Sequence, residues 1–230
     1  MSILRRPAAG TLSEVAREWI GATAVLIGGG PSLTREQVAQ VELVREQRRA
    51  LRVIAVNDAY RLAPFADICY FADSEWWGWH KDRPDFQSFA GQKCSISDSG
   101  GNIKDPAVHI LRNANGRGHS FGLSLDPKQI VTGSNSGYQA LNIAVLAGAK
   151  TIILIGFDAR EPTATSKTHW FGDHPKIEPV AAYAEYRKAF SAGEAAIKAA
   201  GVRVINCSPG SAINSFEKLP LEAALQQSRG

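Results

Sequence analysis

The sequence predicts an α/β protein with a Rossmann-like, doubly wound, mostly parallel sheet, helices on both faces and a loop-rich insertion. Three observations carry that expectation. The runs "ATAVL", "LRVIAVN" and "KTIILIGFD" are apolar almost throughout rather than alternating, which is the pattern of strands covered on both faces. Segments with apolar residues at helical spacing separate these runs, the order that builds a parallel sheet. Several strands also exit into glycine or small polar residues, where ligands bind in sheets of this kind.

Residues 1–20 read as a helical lead-in, with Leu12, Val15, Trp19 and Ile20 on one face. Residues 22–28 form a first strand. A helix is expected over 34–47, where Val38, Val41 and Val44 follow an N-capping Thr34 or Ser32. "LRVIAVN" (51–57) and "ADICYFAD" (66–73) are the next two strands. The stretch 74–132 is expected to be the insertion within a single domain spanning 1–230, holding two more strands and long loops. A small-residue helix over 133–149 ends at Gly148 as a C-cap. A strand at 150–158, a long helix at about 178–200 and a strand at 202–207 complete the alternation.

The chain has 230 residues, 44% hydrophobic and 21% charged, enough apolar material for a buried core. The net charge of +4 is mild. Arg45, Arg48, Arg49 and Arg52 gather at the end of the expected helix, where cations complement the helix dipole. No nucleic acid is therefore expected as a partner. Cys69, Cys94 and Cys207 are far apart and lack metal-ligand spacing; they read as buried reduced thiols, the usage of a reducing compartment. With no signal-peptide core and no membrane span, the expected location is cytoplasmic. A homo-oligomer is compatible with this composition.

"IGGGPSL" places Gly28, Gly29 and Gly30 at the end of the first strand, followed by Pro31 and Ser32. Two readings fit. Glycines let a phosphate or ribose approach the backbone, and they equally permit a tight turn with no ligand. The stretch is not GxGxxG, because Leu33 stands at the third glycine's place, and no P-loop lysine follows. Other strand exits offer Asn57, Asp73, Asp158 and Arg160. The helix entered through "TGSNSG" adds Asn135, Ser136 and Gly137, whose free amides make an anion seat and whose side chains equally serve as caps.

"THWFGDHP" holds His169, Asp173 and His174 within six residues. A histidine beside a carboxylate is a general-base pattern. The same residues could bind a metal, but no third ligand stands at diagnostic spacing; a histidine that only ties a loop is the remaining reading. Of Trp76, Trp77 and Trp79, two are expected to cover the core and one to face a ligand. The loop 113–120, with Arg117 and His119, reads as solvated, with a lid over an anion as the alternative.

"GGGPSL", the second strand ending in Val-Asn, and "SNSGYQALNIAVLAGAKTIILIGFD" resemble the bacterial CMP-sialic-acid-dependent sialyltransferases of lipooligosaccharide synthesis. They are also similar to the wider MptE-like family, which includes archaeal 6-hydroxymethylpterin diphosphokinases and flagellin-glycosylation proteins. The likeness covers most of the chain outside 75–130. It implies that Gly28, Gly30, Ser32, Asn57, Ser136 and Gly137 surround a cytidine nucleotide, with Ser208 lining the same pocket. "HWFGDH" matches the family's His-aromatic-X-Gly-His stretch with one residue inserted, which makes His174 the implied base and His169 the motif's other histidine. Ala72 beside Asp73, Gly133, and Arg160 stand where the sialyltransferases carry asparagine, arginine and tyrosine. The implied activity is transfer from a nucleotide-activated donor, of CMP-sugar type, to a hydroxyl acceptor. That scheme has no metal: Asn135–Gly137 and Arg160 would stabilise the departing phosphate. The alternatives are an MptE-like pyrophosphokinase, with Mg²⁺ held by Asp73, Asp158 or Asp173, and a nucleotide-binding protein without catalysis.

Overall fold

A computed structural model describes residues 2–8, 12–48, 50–97, 103–114, 116, 120–161, 168–172 and 179–228. Its centre is a nine-stranded, all-parallel sheet. The strands are β3 (Thr23–Ile27), β4 (Leu51–Val56), β5 (Ile68–Tyr70), β6 (Gln92–Ile96), β7 (Val108–Asn113), β8 (Gln129–Ile130), β9 (Thr151–Ile155), β10 (Arg203–Asn206) and β11 (Glu217–Lys218). They lie in the order β11-β10-β9-β3-β4-β5-β6-β7-β8. The chain winds outward from β3 to β8, then returns to β9 on the other side of β3. The winding direction therefore reverses between β3 and β9, which makes the gap beyond their carboxyl ends the switch-point crevice.

Every residue of β3 is buried, as is every residue of β9 except Thr151 at its start. Helices cover both faces. Residues of α1 (Arg35–Gln47) and α6 (Leu221–Gln227) join one apolar cluster, and residues of α4 (Ser136–Ala147) and α5 (Val180–Ala199) join the other. The expected signals at the helix ends are present. Thr34 caps α1 in a reciprocal capping box with Gln37, and Gly148 closes α4 at φ 95°. The three cysteines are buried and unbridged, and burial pushes their thiols up, which makes them poor nucleophiles near neutral pH. No helix among the described residues is long and apolar enough to cross a membrane.

Two expectations need correction. The lead-in is not helical: Leu4–Arg5 (β1) and Glu14–Val15 (β2) pair as a small antiparallel ribbon. Tertiary partners override the local periodicity. Ile3 and Leu4 donate their N–H groups to Gln92 Oε1, and Trp19 N–H reaches Ala147 O, while Ile20, placed by periodicity on the apolar face, is 73% exposed. The segment 74–132 is also more ordered than two strands and loops. It adds β6, β7 and β8 to the main sheet, preceded by α2 (Ser74–His80) and α3 (Pro84–Gln87).

Helix α2 carries the tryptophans. Trp76 is buried, stacked on His80 at 4.0 Å, and Trp77 stacks on Phe71 at 5.6 Å. Trp79 is 43% exposed, but none of the three lines the cleft described below, so the expected ligand-facing tryptophan is not found. Gly78 sits on the outer side of α2, and a Cβ there would meet nothing within 4 Å. Gly78→Ala is expected to stabilise the protein by about 0.5–1 kcal/mol, through restricted backbone freedom in the unfolded chain; a rise in the urea midpoint checks it.

Candidate functional site

At the end of β3 the chain passes so close to the end of β9 that side chains are excluded. Gly28 N–H donates to Ile155 O at 2.8 Å and Gly30 N–H to Gly156 O at 2.9 Å. A Cβ on Gly28 would lie 2.5 Å from Gly156 O; one on Gly30 would lie 1.9 Å from Asp158 Oδ2. Gly137 is likewise required by packing, since its Cβ would sit 2.6 Å from the Phe157 ring. These three glycines are explained by the protein's own contacts. Gly29 differs, because its Cβ would make only an ordinary 3.4 Å contact with His169.

The case for a ligand rests on what surrounds them. A cleft of about 680 Å³ opens at the switch point, a size suited to a small-molecule ligand. It is lined by Gly28, Gly29, Gly30, Asn57, Asp73, Asn135, Ser136, Gly137, Asp158, Arg160 and His169, so eleven of the residues singled out from sequence share one cavity. Two others do not line it. Ser32 lies behind the wall, donating its N–H and hydroxyl to Asp158 Oδ2 at 3.3 and 2.8 Å, and Ser208 is buried, accepting Phe157 N–H at 2.8 Å. Both brace residues of the cleft wall, Asp158 and Phe157, rather than line the cleft themselves. Asp173 and His174 lie outside the described residues, as do Arg117 and His119.

Among the described residues, three that are not glycine have left-handed backbone: Asn57 (φ 52°) beyond β4, Ser134 (φ 52°) before α4 and Ala159 (φ 44°) beyond β9. All three line this cleft. Such conformations cost about 1–3 kcal/mol each and persist where function needs a fixed backbone. The surroundings enforce them: Arg187 on α5, for example, donates to Ala159 O at 2.9 Å. At the start of α4, Asn135 caps Tyr138 N–H at 3.1 Å, leaving the N–H groups of Ser136 and Gly137 without partners among the described residues. Those amides and the helix dipole form an anion seat, with the Arg160 cation on the same cleft.

Two polar atoms on the wall lack a hydrogen-bond partner among the described residues. Asp158 is 3% exposed, and its Oδ1 has no hydrogen-bond partner among the described residues. Burial pushes its carboxyl above the usual carboxylate range, only partly offset by the Ser32 bonds and the Arg160 charge. Asn57 Oδ1 is also buried and without a hydrogen-bond partner among the described residues. Gln139, by contrast, is held on both sides, accepting from Tyr70 OH at 2.6 Å and donating to Thr132 O at 2.7 Å. No group of three or more potential metal-ligating His, Cys, Asp or Glu side chains occurs among the described residues.

The segment 168–172 folds over the glycine turn. His169 and Gly172 exchange backbone hydrogen bonds at 3.1 Å, and Trp170 N–H donates to Gly29 O at 3.2 Å. His169 Nδ1 lies 3.1 Å from Thr168 Oγ1, and its ring stacks on Phe171. Sequence reasoning missed Tyr183, Tyr186 and Phe190 of α5, and also Asn113 and Gln139, all of which line the cleft. The aromatic spacing along the long helix was the available signal for the first three; nothing local marks the others. No known protein-family model matches this chain, and no curated protein sequence is significantly similar to it.

Proposed function

We propose that the cleft binds a nucleotide-activated donor and that the protein transfers the activated group to a hydroxyl acceptor, as a sialyltransferase-like glycosyltransferase. The observation that carries this reading is the convergence on one cavity of three left-handed non-glycine residues and the α4 amides that have no partner among the described residues. An anionic ligand explains both the amides and the strain. Polar side chains at Asn57, Asn113 and Gln139 offer hydrogen bonds to a base or ribose.

In the proposed reaction His174 removes the acceptor hydroxyl proton. The acceptor oxygen then forms the new bond to the donor's anomeric carbon, and the bond from that carbon to the phosphate oxygen breaks. The phosphate leaves with the electron pair, stabilised by the Ser136 and Gly137 amides and by Arg160. His169, pinned to the glycine turn, belongs to the donor side of the site.

A second reading, an MptE-like pyrophosphokinase, is favoured by Asp158 Oδ1. A buried carboxylate oxygen without a partner suits a divalent cation, and Asp73 lines the same cleft. These two carboxylates would hold Mg²⁺, whose charge would offset that of the phosphates. A thermal-shift panel of CMP, CDP, UDP, GDP and ATP, with and without Mg²⁺, separates the two. The transferase reading expects a mononucleotide to raise Tm without metal and His174→Ala to abolish turnover while preserving that shift. Stabilisation by ATP only with Mg²⁺ supports the kinase, and a flat response to every nucleotide overturns both.

A further inference from the structure

A second cavity lies beside the first, and the turn 168–172 separates them. Phe171 lines both; His169 lines the first and Trp170 the second. The second cavity's remaining walls include the start of α1 and the 3-10 turn Asn57–Arg61, which bring Arg35 and Arg61 to it.

Both arginines have unused donors. Arg35 is the first residue of α1, where a cation opposes the helix dipole, and it forms no hydrogen bond or ion pair among the described residues. Arg61 is 3.6 Å from Asp58 and 3.9 Å from Asp85, too far for a hydrogen bond to either. Those carboxylates are already engaged: Asp58 accepts from Trp76 and His80, and Asp85 is gripped by Arg83 through two 3.0 Å bonds. Glu36 is the other carboxylate on this wall among the described residues. Trp170 adds a buried indole N–H with no partner among the described residues. Among the described residues the wall thus presents two arginine forks and an indole donor beside two aromatic faces, with Glu36 as its remaining carboxylate.

We propose that this second cavity seats the acceptor, and that the acceptor is a small molecule bearing a carboxylate or phosphate. The arginines bind the acidic group in their planar forks, and Trp170 and Phe171 pack against the body of the molecule. The proposal rests on the transferase reading for the word acceptor. It places the two substrates on opposite sides of the turn that leads into Asp173 and His174. An arginine at the first position of α1, unfavourable for the helix, is then explained by ligand binding.

The test titrates the ¹⁵N-labelled protein with glucose 6-phosphate, glucuronate, glucose and inorganic phosphate. The Trp170 indole N–H resonance, assigned with Trp170→Phe, is the readout. Saturable movement is expected with at least one of the two acids and none with glucose. Arg35→Glu, a change that suits the helix start, should weaken that binding about tenfold or more, equivalent to about 1.4 kcal/mol. Its Tm and its CMP-induced thermal shift should be no lower than those of the parent. Arg61→Gln should weaken the acid in the same direction. An unmoved resonance with both acids overturns the proposal, as does unchanged affinity in Arg35→Glu. Inorganic phosphate binding as tightly as the acids would mark an adventitious ion only, and also overturns it. Acid binding through Arg35 with no response to any nucleotide would sink the donor reading while leaving the anion site standing.

Discussion

Asp58→Ala is expected to lower the unfolding free energy by about 3–5 kcal/mol, the range for removing one partner of a buried charged pair. Asp58 is 7% exposed and accepts hydrogen bonds from Trp76 Nε1 at 2.8 Å and His80 Nε2 at 3.1 Å, with Arg61 nearby. His80 Nδ1 meets Trp76 O at 2.9 Å, so the ring is committed on both sides. Alanine would strand the indole N–H and the imidazole together, beneath the aromatic cluster of Tyr60, Phe71 and Phe86. The loss should reach the cleft as well, because Asp58 follows the left-handed Asn57 and lines the same cavity.

The pH dependence has a definite sign. Burial pushes the Asp58 carboxyl up, but the His80 and Trp76 hydrogen bonds and the His80 and Arg61 charges outweigh it, and the net shift is downward from 3.8. A carboxylate whose folded value is depressed contributes stability above its unfolded value and loses it as pH falls through the folded one. The difference in urea midpoint between the parent and Asp58→Asn should therefore shrink as pH is lowered from neutral to about 3. A gap that stays constant over that range would show that the ionised carboxylate is not what holds the network.

Gly30→Ala is expected to cost about 2–3 kcal/mol and to abolish any nucleotide-induced thermal shift. The new methyl would fall 1.9 Å from Asp158 Oδ2 and 2.7 Å from Gly156 O. Neither can yield easily: Asp158 is fixed by two bonds from Ser32, and Gly156 O belongs to the backbone. Gly29→Ala is the internal control, because its Cβ would reach only the His169 ring at 3.4 Å, and its cost should stay under about 0.5 kcal/mol. Equal losses at the two positions, in urea melts, would contradict the close-approach account of this turn.

Much of the architecture was readable locally. Thr34, one of two candidate caps with Ser32, marked the start of α1, Gly148 the end of α4, and the uninterrupted apolar runs at β3, β4 and β9 the buried strands. Each of these signals lies within a few residues, on the scale of a cap or one face of a helix. The two-residue strands β8 and β11 are too short to produce any period. The ribbon of β1 and β2 defeated the helical reading because Gln92 and Pro127, far along the chain, supply its partners.

The candidate site divides in the same way. Glycine-rich and polar strand exits could be named one by one from the residues, because side chain and backbone chemistry alone suggest an anion. What each glycine is for could not, since the Asp158 carboxylate that excludes a side chain at Gly30 is bonded to Ser32 across 126 positions. By itself the sequence determined the alternation of buried strands and helices and the chemistry at their ends, for these follow from nearest-neighbour sterics and periodic burial. Tertiary structure alone decided that those ends share one cleft, that Ser32 and Ser208 stand behind its wall, and that Arg35, Arg61 and Trp170 meet on a second cavity. Such convergence depends on sheet order and chain crossing, which no local pattern encodes.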